Sequence, residues 1–337
     1  MNVVVADVAK PKSDMRQDWL FYGMAMFALL ATVLVISAPL TVAILAVFLF
    51  AGPHNWIEAR LLLERMPPRW GALRRYFLTA GIGTLILTLS HWLLSTLSAV
   101  SVWNATAWRI AHSIWLTSLV SWVVVLVYLR SHQSPRRDWT PALSVGLLLA
   151  SLSWMRPAES GLLLVYLHPL VSIWFLEREV TLRNPARRFA LRAIFTVMGC
   201  GLIVVVAVLA TSAPVSATDA LTVRIRDHVG ADLLTWVSDR CLIATHTYLE
   251  LLHYSVWLFA LPGISLSSPP WSLNLIPLAH SRTGWRRVVV AALSAGAFGV
   301  LLIWAGFLWD YSLMRDVYFE LAMLHVLMEI PFLIRQI

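Results

Sequence analysis

The chain has 337 residues, of which 59% are hydrophobic and only 13% charged, against roughly 25% charged in a soluble domain. Its net charge of +8 comes with 17 tryptophans and two cysteines. Cys200 and Cys241 argue neither for a disulfide framework nor for a thiolate metal site, and arginines gathered in short connections between apolar runs argue against a nucleic-acid partner. Many runs reach the roughly 18 apolar residues that suggest a membrane span, so the expected class is all-α, a polytopic helical membrane bundle.

About ten spans are predicted in chain order, over residues 19–36, 40–63, 76–97, 107–129, 141–154, 160–176, 190–210, 234–261, 288–309 and 317–334. The first 18 residues form a charged head on a single transmembrane domain covering 19–337. The first span carries no small-residue cleavage site behind it and reads as a retained helix. Ser37-Ala38-Pro39 ends it, because proline disfavours helix at the residue before it. The fifth span is short and stops at Met155-Arg156-Pro157, so residues 141–176 read either as two spans or as a re-entrant pair. The polar stretch from Thr211 to Gly230 reads as the longest outer loop.

Charge orients the chain. Lys10, Lys12 and Arg16; Arg60, Arg65, Arg69, Arg74 and Arg75; Arg130, Arg136 and Arg137; Arg178, Arg183, Arg187, Arg188 and Arg192; Arg282, Arg286 and Arg287; and Arg335 fall on one side if the spans alternate. Arg109, Arg156, Arg224, Arg226, Arg240 and Arg315 fall elsewhere. The positive-inside bias then places both termini in the cytoplasm of what reads as a bacterial inner membrane.

Three spans carry a histidine and a glutamate one turn apart: His54 with Glu58, Glu250 with His253, and His325 with Glu329. His246 lies one turn before Glu250. Residues three or four apart share a helix face, and ionisable groups at membrane depth face the bundle interior and usually mark function. At 1.5 Å per residue, His54, His253 and His325 each lie roughly 12–14 Å from the inner surface. His168 reaches nearly that level. His91 and His246 form a layer at roughly 20 Å, His112 lies near the outer surface, and His132, His228 and His280 fall in loops. The expected metal set is therefore His54, Glu58, His246, Glu250, His253, His325 and Glu329, with His168 and His91 as further candidates and Asn55 and Tyr254 as supports. Imidazole with carboxylate suits iron, mononuclear or di-iron, or zinc. Glu250-x-x-His253 has the spacing of di-iron carboxylate bundles, whereas the other two pairs run histidine first. A haem with two axial histidines is a further possibility. Asp239 and Arg240 are expected to neutralise each other, with gating of a cavity as the alternative, and Trp56, Trp257 and Trp285 to anchor at the interface.

Nucleophile elbow, zincin helix, Walker loop and dinucleotide fingerprint are all missing from the sequence. The expected partner is a lipophilic small molecule entering from the membrane lipid. Three functions fit: a metal-dependent oxygenase or oxidoreductase, a zinc-dependent lipid hydrolase, and a proton-coupled carrier relaying protons through the His/Glu pairs. Pro53-His54 followed by Glu58, with His246 and His253 later, resembles the Brp/Blh family of membrane carotene-cleaving oxygenases. That resemblance implies an all-helical membrane fold, iron held mainly by histidines, and oxidative cleavage of a carotenoid. The family's Pro-His-Gly opening is Pro53-His54-Asn55 here, its later histidines are spaced differently, and Glu250 and Glu329 have no assignable counterpart.

Overall fold

The computed structural model describes residues 15–67, 70–99, 104–133, 138–216, 219–265, 272–281 and 283–336. Among these, no strand occurs, and the chain is an all-α polytopic bundle. The long helices are α1 (Met15–Ser37), α2 (Pro39–Arg65), α3 (Arg74–Ala99), α4 (Ala105–Ser131), α6 (Pro157–Arg183), α7 (Arg188–Leu209), α12 (Thr283–Trp309) and α13 (Tyr311–Gln336). All eight contain stretches long and apolar enough to cross a membrane, which makes this a multi-pass membrane protein. α5 (Thr140–Met155) and α8 (Ala220–His228) are shorter. α9 (Asp239–Ser255) continues through a π-helical turn (Val256–Ala260) into α10 (Leu261–Ser265), and α11 (Pro277–Ser281) precedes α12.

The breaks follow local chemistry. Pro39 and Pro157 occupy the first turns of α2 and α6, where the missing N–H costs nothing. Asn104 caps α4 by accepting the Ala107 N–H at 2.8 Å, and Asp219 caps α8 by accepting from the Thr222 N–H at 2.9 Å and from its hydroxyl at 2.8 Å. Those two bonds hold the Asp219 carboxyl below its usual range.

Two of the ten predicted spans differ from the rest. With 16 residues, α5 spans about 24 Å, short of a roughly 30 Å hydrocarbon core. It lies along α4, where the Ser113 hydroxyl donates to Ser153 O at 3.0 Å and the Trp154 indole to Thr117 Oγ1 at 3.0 Å. The eighth predicted span is α9 with its π turn and α10. It carries threonines, histidines, Tyr248 and Glu250, yet nearly every residue of α9 is buried. α1, α2, α6 and α7 pack around it. A helix screened from lipid on all sides can be polar, provided its groups find partners. α12 is the opposite, apolar and almost wholly exposed on the rim.

One apolar core gathers α1, α2, α6, α7 and α9 about Phe175, Tyr248 and Trp257. A second joins α3, α4 and α13 about Tyr76, Trp115 and Leu126. The histidines lie along the seam between them. Arg60, expected in the first basic loop, is instead fully buried in α2, where it pairs with Glu64 at 2.6 Å and donates to Ser272 O at 2.6 Å.

Candidate metal centre

Four helices meet at the seam, and each departs from regular backbone hydrogen bonding beside the side chain it delivers. Pro53 precedes His54 inside α2, Pro169 follows His168 inside α6, and Pro331 lies two residues after Glu329 inside α13. On the fourth, the π turn begins three residues after His253. Prolines and π turns bend helices and re-aim side chains, and π turns recur at functional sites.

The rings of His54, His168, His253 and His325 converge. Ring centres are 5.3 Å apart for His54–His253, 5.2 Å for His54–His325, 4.6 Å for His168–His253, 5.1 Å for His168–His325 and 6.3 Å for His253–His325. Glu58 and Glu329 lie against each other beside them. Ligand atoms of His54, Glu58, His253 and His325 all fall within 4.8 Å of one another, as do those of His168, His253 and Glu329. The two groups share His253. The sequence had ranked His168 below the other three; it belongs among them.

The polar atoms here are conspicuous for having nothing else to do. His54 Nδ1 is 3.0 Å from Phe50 O. A carbonyl only accepts, so Nδ1 carries the proton and the Nε2 lone pair is turned into the cluster. His54 Nε2, both nitrogens of His253, His325 Nδ1, Glu58 Oε2 and Glu329 Oε1 are buried without a hydrogen-bond partner. Leaving a buried polar atom unpaired costs about 1–3 kcal/mol each. His168 completes the set, with Nε2 3.3 Å from His325 Nε2 and Nδ1 3.4 Å from Glu329 Oε2. Four imidazoles with free or shared lone pairs and two carboxylates to balance charge, six donor groups in all, fit a divalent transition metal.

Asn55 Oδ1 is also buried and unpartnered, and the Tyr254 ring lies 4.6 Å from that of His54. Trp257, read as an interfacial anchor, is instead 1% exposed and sits under the centre, 6.4 Å from the His253 ring. Trp56 donates to Leu293 O at 2.9 Å and ties α2 to α12.

His246 and Glu250 do not join either metal-competent group. Glu250 lies 3.7 Å from His246 Nδ1 and faces Arg315, a cation buried over the Phe319 ring at 4.5 Å. The Glu250-x-x-His253 spacing thus separates its two members. His91 lies outside as well, bound to Glu320 at 3.0 Å. Glu320 went unnoticed in the sequence, although the same depth arithmetic places it in the layer of His91. His228, expected in a loop, ends α8 and turns inward, its ring 5.0 Å from that of His246. Asp239 pairs with Arg226 at 2.7 Å, not with Arg240.

A cavity of about 540 Å3 connects these groups, and eight of the ten histidines line it. It runs from His54 and His325 past Trp115 and Phe319 to Trp108, Ala158 and Gly230. Ala158 and His168 are ten residues apart on α6, so the cavity extends at least about 15 Å along that helix. Comparison with protein-family models, curated proteins and solved structures gave no match in any of the three.

Proposed function

We propose that the protein is an iron-dependent oxygenase or related oxidoreductase of a bacterial inner membrane, acting on a lipophilic substrate held in the cavity above His54, His168, His253 and His325. The observation that carries this reading is the convergence of buried imidazole nitrogens and carboxylate oxygens that have no other partner. The six residues form two overlapping groups, of four and three, that share His253, and a mixed imidazole–carboxylate set suits iron. Two carboxylates, Glu58 and Glu329, balance one divalent ion in a medium where uncompensated charge is costly. The Brp/Blh resemblance implies iron held mainly by histidines, in keeping with the four imidazoles here.

Iron bound here supplies dioxygen activation. The protein's own groups do the rest. Phe50 O fixes the His54 tautomer, and such outer contacts typically alter metal affinity 10–100-fold. The apolar bundle keeps water from the reacting atoms. Elemental analysis of the detergent-purified chain tests the reading. Iron near one per chain, absent from His253→Ala, is expected. Zinc in its place, or no metal above background, overturns it.

A further inference from the structure

We infer that the cavity takes an uncharged, chain-like lipid of about twenty carbon atoms, such as a diterpenoid or long-chain alcohol or aldehyde, and rejects lipids with a carboxylate or phosphate head. This rests on the reading above that the cavity serves the metal centre, and it narrows the substrate class.

Size comes first. The volume is about 540 Å3, and a water-sized group occupies roughly 30 Å3, so the cavity holds on the order of eighteen carbon-sized groups. A forty-carbon carotenoid would enter no more than halfway. The reach of at least about 15 Å along α6 and the walls of leucine, valine, indole and phenol suit a chain, not a bulky ring system.

Charge decides the head group. Among the described residues the lining includes Asp227, Glu250 and Glu320 but no lysine or arginine. Each carboxylate already has a counterpart. Glu320 is held by His91 at 3.0 Å, Glu250 faces Arg315 behind the wall, and Asp227 lies near Arg226. No lining side-chain cation is left to receive an anionic head, the divalent ion of the reading above is already balanced by Glu58 and Glu329, and burying an unpaired charge costs several kcal/mol. The His91–Glu320 pair can both donate to and accept from a hydroxyl or carbonyl. Gly161 keeps the passage beside it open, since a Cβ there would come within 2.9 Å of His112 Nε2.

Saturable binding to the full chain in nanodiscs, counted above empty nanodiscs, tests this with radiolabelled geranylgeraniol, geraniol, palmitate and geranylgeranyl diphosphate. The expected result is geranylgeraniol bound near one per chain and at least tenfold more tightly than either anion. Val165→Trp, which fills the wall, should weaken geranylgeraniol at least tenfold and geraniol less than threefold. Ala322→Leu on the facing helix replaces it should the tryptophan variant not fold. Anions binding as tightly as the alcohol, or wall variants without effect, overturn the inference. Selective alcohol binding by a protein without metal leaves it standing and overturns only the metal reading. Metal present without that selectivity does the reverse.

Discussion

Two layers of histidine line one cavity and are built from the same residue types, yet they are chemically unlike. In the outer layer every ring is engaged. His91 holds Glu320, His246 lies against Glu250, His112 stacks between Trp108 and Trp115, and His228 packs on Phe319 and His246. In the inner layer the rings face one another, and His54 Nε2, both nitrogens of His253 and His325 Nδ1 are left without a hydrogen-bond partner. A histidine buried in a membrane bundle is thus no guide to metal binding by itself. What distinguishes a ligand is that its lone pair is buried and left over.

The sharpest way to break that contrast is to remove the shared residue. His253 belongs to both metal-competent groups, so His253→Ala should abolish bound metal, whereas His246→Ala and His91→Ala should retain wild-type stoichiometry by elemental analysis. Equal losses in the two layers would erase the distinction. Removing the metal itself from the wild type should also show in thermal unfolding. A ligand present at a thousand times its dissociation constant stabilises by about 4 kcal/mol, so chelation should lower Tm in the wild type and not in His253→Ala. A smaller effect is expected from the carboxylates. Glu58→Gln and Glu329→Gln keep size and lose charge, and each should weaken metal binding roughly 10–100-fold in competition titrations without abolishing it. Gln at Glu250 should leave metal affinity unchanged.

Much of this was legible in the sequence. The Ser37-Ala38-Pro39 break between α1 and α2 appears where proline placed it. Rise per residue put His54, His253, His325 and His168 at one height, and the structure brings their rings together. Height carries no information on azimuth, however. Glu250 and His253 share a helix, but only one of them turns to the centre. Azimuth here depends on which neighbours surround α9, a property of the assembled bundle. The same limit explains Trp257 and Arg60. Both sit at the expected depth for interface residues and are buried because α6, α9 and the segment around Ser272 close over them. Hydropathy marked α12 as strongly as any span, but it could not say that this helix lies on the rim while the most polar of the ten runs at the middle.

That reversal sets up the smallest expected effect, which separates the scaffold from the site. Where α1, α7 and α9 approach, a Cβ on Gly201 would meet Tyr248 Oη at 2.4 Å and Thr32 Oγ1 at 2.6 Å. The Tyr248 hydroxyl is held there by a 2.9 Å bond to Met198 O, so it cannot withdraw freely. Gly201→Val should therefore force α7 away from α9 and destabilise by about 1–3 kcal/mol, as overpacking does elsewhere. The candidate metal centre lies off another face of α9, where His253 meets side chains from α2, α6 and α13, and the atoms that a Cβ on Gly201 would strain, on Tyr248 and Thr32, are not among its donors. Measured by thermal unfolding and elemental analysis together, Gly201→Val should lower Tm modestly and leave metal stoichiometry intact. If metal were lost as well, α9 could not be the rigid post about which the two layers are arranged, and the difference between them would be a property of the whole bundle instead of their own partners.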